Sequence, residues 1–457
     1  VSILKNRNYR NLLIFLASLL CGYVVYTLPL AGLSEGGKIS LGIFVVAILL
    51  WVTEAIPIFV TSSVILVLEA IFLARPGGPL NLDRGGYEIF TNAFSSPIIL
   101  LLLGGYALAL TVQKHDLGSL LAVMIIRRVG TRPERILLGA MTTTGLLSMW
   151  MSNTAATASM IVVILPVLKL LDDGDPFRKA LLLGIPFSSS IGGMGTPIGT
   201  PPNAIAMGLL ESAGVQISFL KWMLIGVPIA AVIMLIAWRI LIKLFPCRVS
   251  VVDFDVSAHR SLNPRQILVL IFALVTILLW LSTSLHGIPT SIVAIFPLII
   301  FFGFAFLQKK DFSELGWNVL IIVGGGIALG VGMSKSGLTD WMVARLSLEG
   351  LPLVIAFLIF GLFTMGLSTF ISNSAVANLF LPIALGFAMF SPQWIGIAVA
   401  LSASLAMALP ISTPPNAIAY GSGEIQIKDM IRAGGVISVV GVITVAGYIF
   451  ILSRILP

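Results

Sequence analysis

Long apolar runs, separated by short polar or basic loops, dominate this chain. Runs of about 20 apolar residues match the ~30 Å hydrocarbon core of a bilayer when helical, and a helix satisfies its own backbone there. The pattern predicts spans near residues 11–30, 39–58, 59–74, 96–126, 217–245, 266–284, 288–307 and 434–452. The short alternating segments of a membrane β-barrel are absent. The reading is an all-α polytopic membrane protein.

Some apolar stretches are too long or too broken for simple spans. Residues 135–171 as one helix would measure ~55 Å, well beyond the membrane core. Both flanks are basic, with Arg127, Arg128, Arg132 and Arg135 before it and Lys169, Arg178 and Lys179 after it. Basic loops mark the cytoplasmic side, so a re-entrant hairpin with Ser152-Asn153-Thr154 at its tip is expected. Residues 178–211 carry Pro186, Pro197, Pro201 and Pro202 around a glycine-rich stretch from Gly192. Proline removes a backbone donor and disrupts the preceding turn, so this helix should be interrupted.

The second half repeats these features. Gly325-Gly326-Ile327-Ala328-Leu329 echoes Gly104-Gly105-Tyr106-Ala107-Leu108 at an offset of 221, and Ser372-Asn373 echoes Ser152-Asn153 at 220. Thr200-Pro201-Pro202-Asn203 returns as Thr413-Pro414-Pro415-Asn416, each time followed by Ala-Ile-Ala. Near-equal offsets indicate an internal repeat. An odd number of spans between equivalent points inverts the second copy, the arrangement of many secondary transporters. The expected organisation is an N-terminal helix (1–38), a first repeat (39–245) with hairpin 135–171 and broken helix 178–211, a cytoplasmic linker (246–265), and a second repeat (266–457) with hairpin 351–390 and broken helix 393–424. That amounts to eleven transmembrane helices plus two opposed re-entrant hairpins in inverted repeats, with two interrupted helices. The N-terminus is expected in the cytoplasm and the C-terminus outside.

Composition sharpens this picture. The chain is 58% hydrophobic and 10% charged, with a formal net charge of +8. The basic residues sit in short loops between apolar runs, which is the pattern of membrane orientation rather than of nucleic-acid binding. Cys21 and Cys247 give no disulfide framework. The three histidines, His115, His259 and His286, lie away from the serine motifs, and there is no His-Glu-x-x-His motif. An enzyme is not expected, and no organic cofactor.

The repeated polar motifs carry the chemistry. Ser, Asn and Thr oxygens can replace part of the water shell of a hard cation such as Na⁺. Interrupted helices add free carbonyls and positive N-terminal dipole ends. Ser148 and Ser152 are four residues apart, as are Ser368 and Ser372, so each pair is expected to face one pocket if helical. The paired motifs suit two sodium ions, with Asn153 and Asn373 shared between ion and substrate. No arginine or lysine lies within either motif. An anionic substrate must therefore be held by dipoles, hydroxyls, amides and co-bound Na⁺, which favours a carboxylate or similar oxyanion. Other charges in or near the apolar runs, Glu54, Lys114, His115, Asp116 and Lys335, have no assigned role in this scheme; local ion pairs or helix-end caps are alternatives to function.

With both Ser-Asn motifs, both Thr-Pro-Pro-Asn motifs and Val52-Thr53-Glu54-Ala55-Ile56-Pro57, the chain resembles the divalent anion–sodium symporter family over nearly its whole length, in particular its INDY-like dicarboxylate transporters. The resemblance implies a homodimer in the bilayer whose protomers each have a scaffold domain and an elevator-like transport domain, both drawing on both repeats. It implies a first Na⁺ site at Ser148, Ser152, Asn153 and Gly199, and a second at Ser368, Ser372, Asn373 and Ser412. It implies substrate contacts from Asn153, Thr154, Thr200, Pro201, Asn373, Ser374, Thr413 and Pro414. Ser374 departs from the family pattern, which has threonine there. The expected function is Na⁺-coupled import of a C4-dicarboxylate such as succinate across the cytoplasmic membrane. The alternatives are exchange, symport of another oxyanion such as citrate or sulfate, and, more distantly, a channel.

Overall fold

A computed structural model describes residues 7–83, 86–252, 262–346, 351–387 and 391–456. Most of the proposed linker (253–261) and the end of the second hairpin (388–390) lie outside the described residues, as does His259. The chain opens with α1 (Arg7–Thr27), α2 (Glu35–Thr53), α3 (Ile58–Phe72) and the single turn α4 (Glu88–Thr91). There follow α5 (Pro97–Lys114), α6 (Leu117–Val129), α7 (Pro133–Ser148), α8 (Asn153–Lys169), α9 (Phe177–Gly193), α10 (Pro201–Ser212) and α11 (Phe219–Leu244). The second half begins with α12 (Pro264–Leu281), the short α13 (Thr283–His286), α14 (Thr290–Val293) and α15 (Ile295–Gly303). It continues as α16 (Trp317–Lys335), α17 (Leu338–Leu346), α18 (Leu353–Ser368), α19 (Asn373–Leu385), α20 (Pro392–Ala403), α21 (Pro414–Tyr420) and α22 (Ile427–Ile455). Among the described residues there is no strand, and seven helical segments are long and apolar enough to cross a membrane.

One expected span needs correction. The stretch 96–126 is not one span: the chain breaks between α5 and α6 at Asp116, whose backbone is left-handed (φ +54°). The equivalent break between α16 and α17 falls at Gly337 (φ +76°). Apolar runs do not register such breaks, because a kink turns the chain without changing its hydropathy. Within 288–307, α14 and α15 are separated only by Ala294, whose backbone is helical, and together form one apolar helical stretch from Thr290 to Gly303.

The isolated charges find structural explanations. Glu54 ends α2 in a left-handed conformation (φ +47°) and is exposed. Lys114 pairs with the buried Asp311 and lies 3.6 Å from Glu314, tying the end of α5 to the 3-10 turn Lys309–Glu314. His115 sits on the same joint, with its Nε2 3.3 Å from the Phe306 carbonyl. Lys335 is exposed at the end of α16. Cys21 and Cys247 are both free thiols.

Glycine makes the closest helix contacts possible. Gly192 of α9 lies against the Gly145 backbone of α7, where no side chain fits between the two helices. On α16, Gly324, Gly325 and Gly326 receive Phe94, Ser62 and Asn378 respectively. Glu69 lies over Gly332, seven residues beyond the Ser62–Gly325 contact on both helices, so α3 and α16 run parallel. Helices that approach through small residues gain dispersion contacts lipid cannot replace.

Candidate cation and substrate site

The polar motifs occupy two matching turns. In the first repeat α7 ends at Ser148 and α8 begins at Asn153; in the second α18 ends at Ser368 and α19 begins at Asn373. Each turn is the same length and joins two helices shorter than a full span, as a helical hairpin. The helix therefore stops between the paired serines, and the one-turn argument for Ser148 and Ser152 does not apply. The Ser152 hydroxyl instead caps α8, accepting from the Ala155 N–H at 3.2 Å.

The first turn closes on the unwound segment between α9 and α10. The Ser148 hydroxyl is fully buried and donates to the Ser189 carbonyl at 2.7 Å. One terminal atom of the Asn153 amide lies 2.5 Å from Ser148 Oγ, 3.2 Å from the Gly199 carbonyl and 3.3 Å from the Ser189 carbonyl. All three neighbours are oxygens. With the amide nitrogen in that position its two hydrogens are shared among the three; with the oxygen there, the Ser148 hydroxyl donates to it and four oxygens converge, a set that suits a cation. A half-turn of the amide exchanges the two arrangements. Gly193 closes the pocket from the other side, because a β-carbon there would meet Asn153 Oδ1 at 2.8 Å and the Gly199 carbonyl at 3.0 Å.

The second turn has the same parts with fewer partners. Ser368 Oγ and Asn373 Oδ1 are buried and have no hydrogen-bond partner among the described residues. Ser402, which stands 213 residues after Ser189 as Thr413 does after Thr200, also has an unpartnered hydroxyl, as does Ser404. Ser368 and Asn373 share one turn, so their two unpartnered oxygens leave acceptor capacity there that a cation can use. Ser412 is engaged, donating to the Thr369 carbonyl at 2.8 Å. Ser372 precedes α19 without a side-chain cap bond.

The Thr-Pro-Pro-Asn motifs start the second halves of the broken helices. Both proline pairs fall in the first turn of α10 and α21, where a missing N–H costs nothing. Thr200 and Thr413 precede them in extended conformation, and both are buried. The asparagines staple the loops. Asn203 Nδ2 donates to the carbonyls of Gly193 (3.0 Å) and Thr196 (2.8 Å), and Asn416 Nδ2 to Leu409 (3.0 Å). Thr196 in turn bonds the Met149 carbonyl at the first turn at 2.6 Å. We expect Asn203→Ala to cost about 1–3 kcal/mol through the unpartnered carbonyls it leaves, read as a lower melting temperature in detergent.

The repeats interlock. α8 packs on α9 and on α21, whereas α19 packs on α20 and on α10. Each hairpin therefore rests against a broken helix from its own repeat and one from the other, and four helix N-termini belong to one interlocked body. Of the remaining residues expected at the site, Ser374 is buried, Asn153, Thr154, Asn373 and Pro201 are half-buried, and Pro414 is exposed. Sequence reasoning missed Ser189, whose contribution is a backbone carbonyl with no side-chain signature; the Ser188-Ser189-Ser190 run inside an apolar helix was the available signal.

A family model described as the sodium:sulfate symporter transmembrane region matches residues 9–456. The chain belongs to that symporter family. It is 33% identical, over 96% of its length and 91% of the relative's, to the sodium-dependent dicarboxylate transporter SdcS of Staphylococcus saprophyticus subsp. saprophyticus. The same transporter from Staphylococcus aureus (strain USA300) is 32% identical over 89% of this chain and 86% of its own length. The crystal structure of the YdaH transporter of Alcanivorax borkumensis aligns with 88% of this symporter chain and 98% of its own, with a TM-score of 0.60 at 15% identity. Neisseria gonorrhoeae MtrF aligns at 0.54 and 14% identity, covering 88% of this chain and 96% of its own. These two likenesses are of fold. The family and the relatives are transporters, not enzymes, and the symporter is a multi-pass membrane protein.

Proposed function

We propose that this symporter couples the inward movement of Na⁺ to import of a C4-dicarboxylate such as succinate. The single observation that carries the reading is the convergence of the Asn153 amide on Ser148 Oγ and the Ser189 and Gly199 carbonyls. A hard, singly charged cation is the ligand such uncharged oxygens suit. In this reading Na⁺ takes the place of the amide hydrogens: the Asn153 nitrogen satisfies the carbonyls when the cation is absent, and its oxygen turns in when the cation binds. The unpartnered Ser368 Oγ and Asn373 Oδ1 offer a second cation the same kind of coordination.

The anion is held without a basic side chain. Asn153, Thr154, Asn373, Ser374, Thr200-Pro201 and Thr413-Pro414 present amides, hydroxyls and helix N-termini to its carboxylates, and the adjacent Na⁺ ions complete the neutralisation. Anion and cations then stabilise one another in a low dielectric, which is the physical basis of coupling. The interlocked hairpins and broken helices form the transport domain, moving like an elevator against a scaffold drawn from both repeats, in a homodimer in the cytoplasmic membrane. In this reading the N-terminus lies in the cytoplasm and the C-terminus outside. The names of the SdcS relatives support both the cation and the substrate class.

The test is uptake of labelled succinate into proteoliposomes under an inward Na⁺ gradient. Uptake should be strong with Na⁺ and near background with K⁺ alone; equal uptake in the two sinks the symport reading. The family description favours one second reading, symport of an inorganic oxyanion such as sulfate. Competition by unlabelled sulfate, citrate and dicarboxylates decides between them, and uptake driven by internal dicarboxylate without Na⁺ would make the protein an exchanger.

A further inference from the structure

Arg178 stands at the end of the transport elements remote from the site. It lies in the first turn of α9 and is nearly buried, with 12% of its side chain exposed. Its guanidinium makes four hydrogen bonds to two separate elements. Nε and Nη2 meet the two carboxylate oxygens of Glu424 at 2.7 and 2.5 Å, a fork-to-fork pair. Nη1 donates to the carbonyls of Leu168 and Leu171 at 2.7 and 3.0 Å. Leu168 and Leu171 flank the C-terminal end of α8, and Glu424 follows α21 by four residues. One residue further on, Lys179 reaches Asp429 at the start of α22 at 2.9 Å.

α8 and α21 share a polarity. Each begins at a site motif, Asn153-Thr154 or Thr413-Pro414, and ends at Arg178. They belong to different repeats and pack on one another. An arginine that bonds C-terminal carbonyls also complements the negative end of the α8 dipole, and the bidentate carboxylate pair fixes orientation as well as distance. Among the described residues the opposite crossing has no such arginine clamp. There Lys221 of α11 meets the neutral Gln393 of α20, at 3.2 Å, and Ser391, 213 residues after Arg178, is no cation.

We propose that Arg178 is a positioning residue: by clamping the far ends of α8 and α21 together through Glu424, it holds half of each repeat's site in register with the other. It touches neither ion nor substrate. The clamp deepens the Na⁺-symport reading and rests on it for its transport readout, so its test carries a second readout that needs no transport.

Glu424→Gln removes the charge and one of the two acceptors from the cross-repeat link, breaking its fork-to-fork geometry, and leaves the Arg178–carbonyl bonds in place. Arg178→Lys keeps the charge and loses the fork. Asp173, fully exposed and 3.6 Å from Arg178, supplies a control as Asp173→Asn. In proteoliposomes, Glu424→Gln is expected to raise the half-saturating concentrations of Na⁺ and succinate about tenfold, with the maximal rate within about twofold of the parent. Arg178→Lys should fall between, and Asp173→Asn should match the parent. The independent readout is spin–spin broadening between nitroxides at the exposed Ala158 of α8 and Ala417 of α21, in a Cys21→Ser, Cys247→Ser background. Glu424→Gln should weaken that broadening and Asp173→Asn should not. Unchanged half-saturation and unchanged broadening in Glu424→Gln, with only a lower melting temperature, overturn the proposal. If the parent shows no Na⁺-driven uptake, the symport reading fails, while the broadening still decides the clamp.

Discussion

Asn153→Ala is expected to abolish succinate uptake at Na⁺ concentrations that saturate the parent, while leaving the protein folded. The amide is the one group that touches Ser148, Ser189 and Gly199 together. Truncation removes a ligand from the bound cation and, in its absence, the donor that satisfies two buried carbonyls. Interactions of this kind with a charge are worth about 1.5–3 kcal/mol, so half-saturating Na⁺ should rise roughly 10- to 150-fold. Because the anion needs the cation, succinate affinity should fall with it. The check is a Na⁺ titration of uptake beside gel filtration and thermal melting. Wild-type Na⁺ dependence in a folded Asn153→Ala protein moves the cation elsewhere. Asn373→Ala probes the second cluster in the same way.

Gly199→Ala should be nearly as severe for a different reason. A β-carbon at residue 199 meets the Gly193 carbonyl at 2.5 Å and the Gly193 Cα at 3.0 Å. Neither can yield easily, because that carbonyl accepts from Asn203 and the surrounding segment is fully buried. Overpacking of this type costs about 1–3 kcal/mol and is relieved by moving backbone, here the backbone that carries the Gly199 carbonyl. We expect loss of uptake with the fold retained, measured against Gly435→Ala, where no heavy atom lies near the added methyl. Normal transport by Gly199→Ala would mean that this loop does not line the cation site.

Hydropathy and punctuation made much of the architecture legible beforehand. The helical class, the duplicated motifs, the turns at Ser152-Asn153 and Ser372-Asn373 and the interruptions before Pro201 and Pro414 all follow from local rules: apolar length, proline, and the repetition of a short pattern. The breaks at Asp116 and Gly337 escaped those rules because they change direction and not hydropathy. The site divided in the same way. Ser148 and Asn153 were read from their residue types, and the geometry brings them together with Gly199, which the family likeness supplied. Ser152 was placed in the cluster on helical spacing, yet the helix ends at Ser148 and the Ser152 hydroxyl becomes a cap.

The amino-acid sequence by itself determined which segments are helical, where they must unwind, and that every such feature occurs twice. Those properties belong to a few neighbouring residues and the bilayer's demand for satisfied backbone. Only the tertiary structure decided that hairpin and broken helix pack across repeats, that the Ser189 carbonyl joins Ser148, Asn153 and Gly199, and that Arg178 fastens α8 to α21. A backbone carbonyl has no letter in the sequence, and an ion pair spanning 246 positions has no local pattern. Both come into being when the folded helices meet.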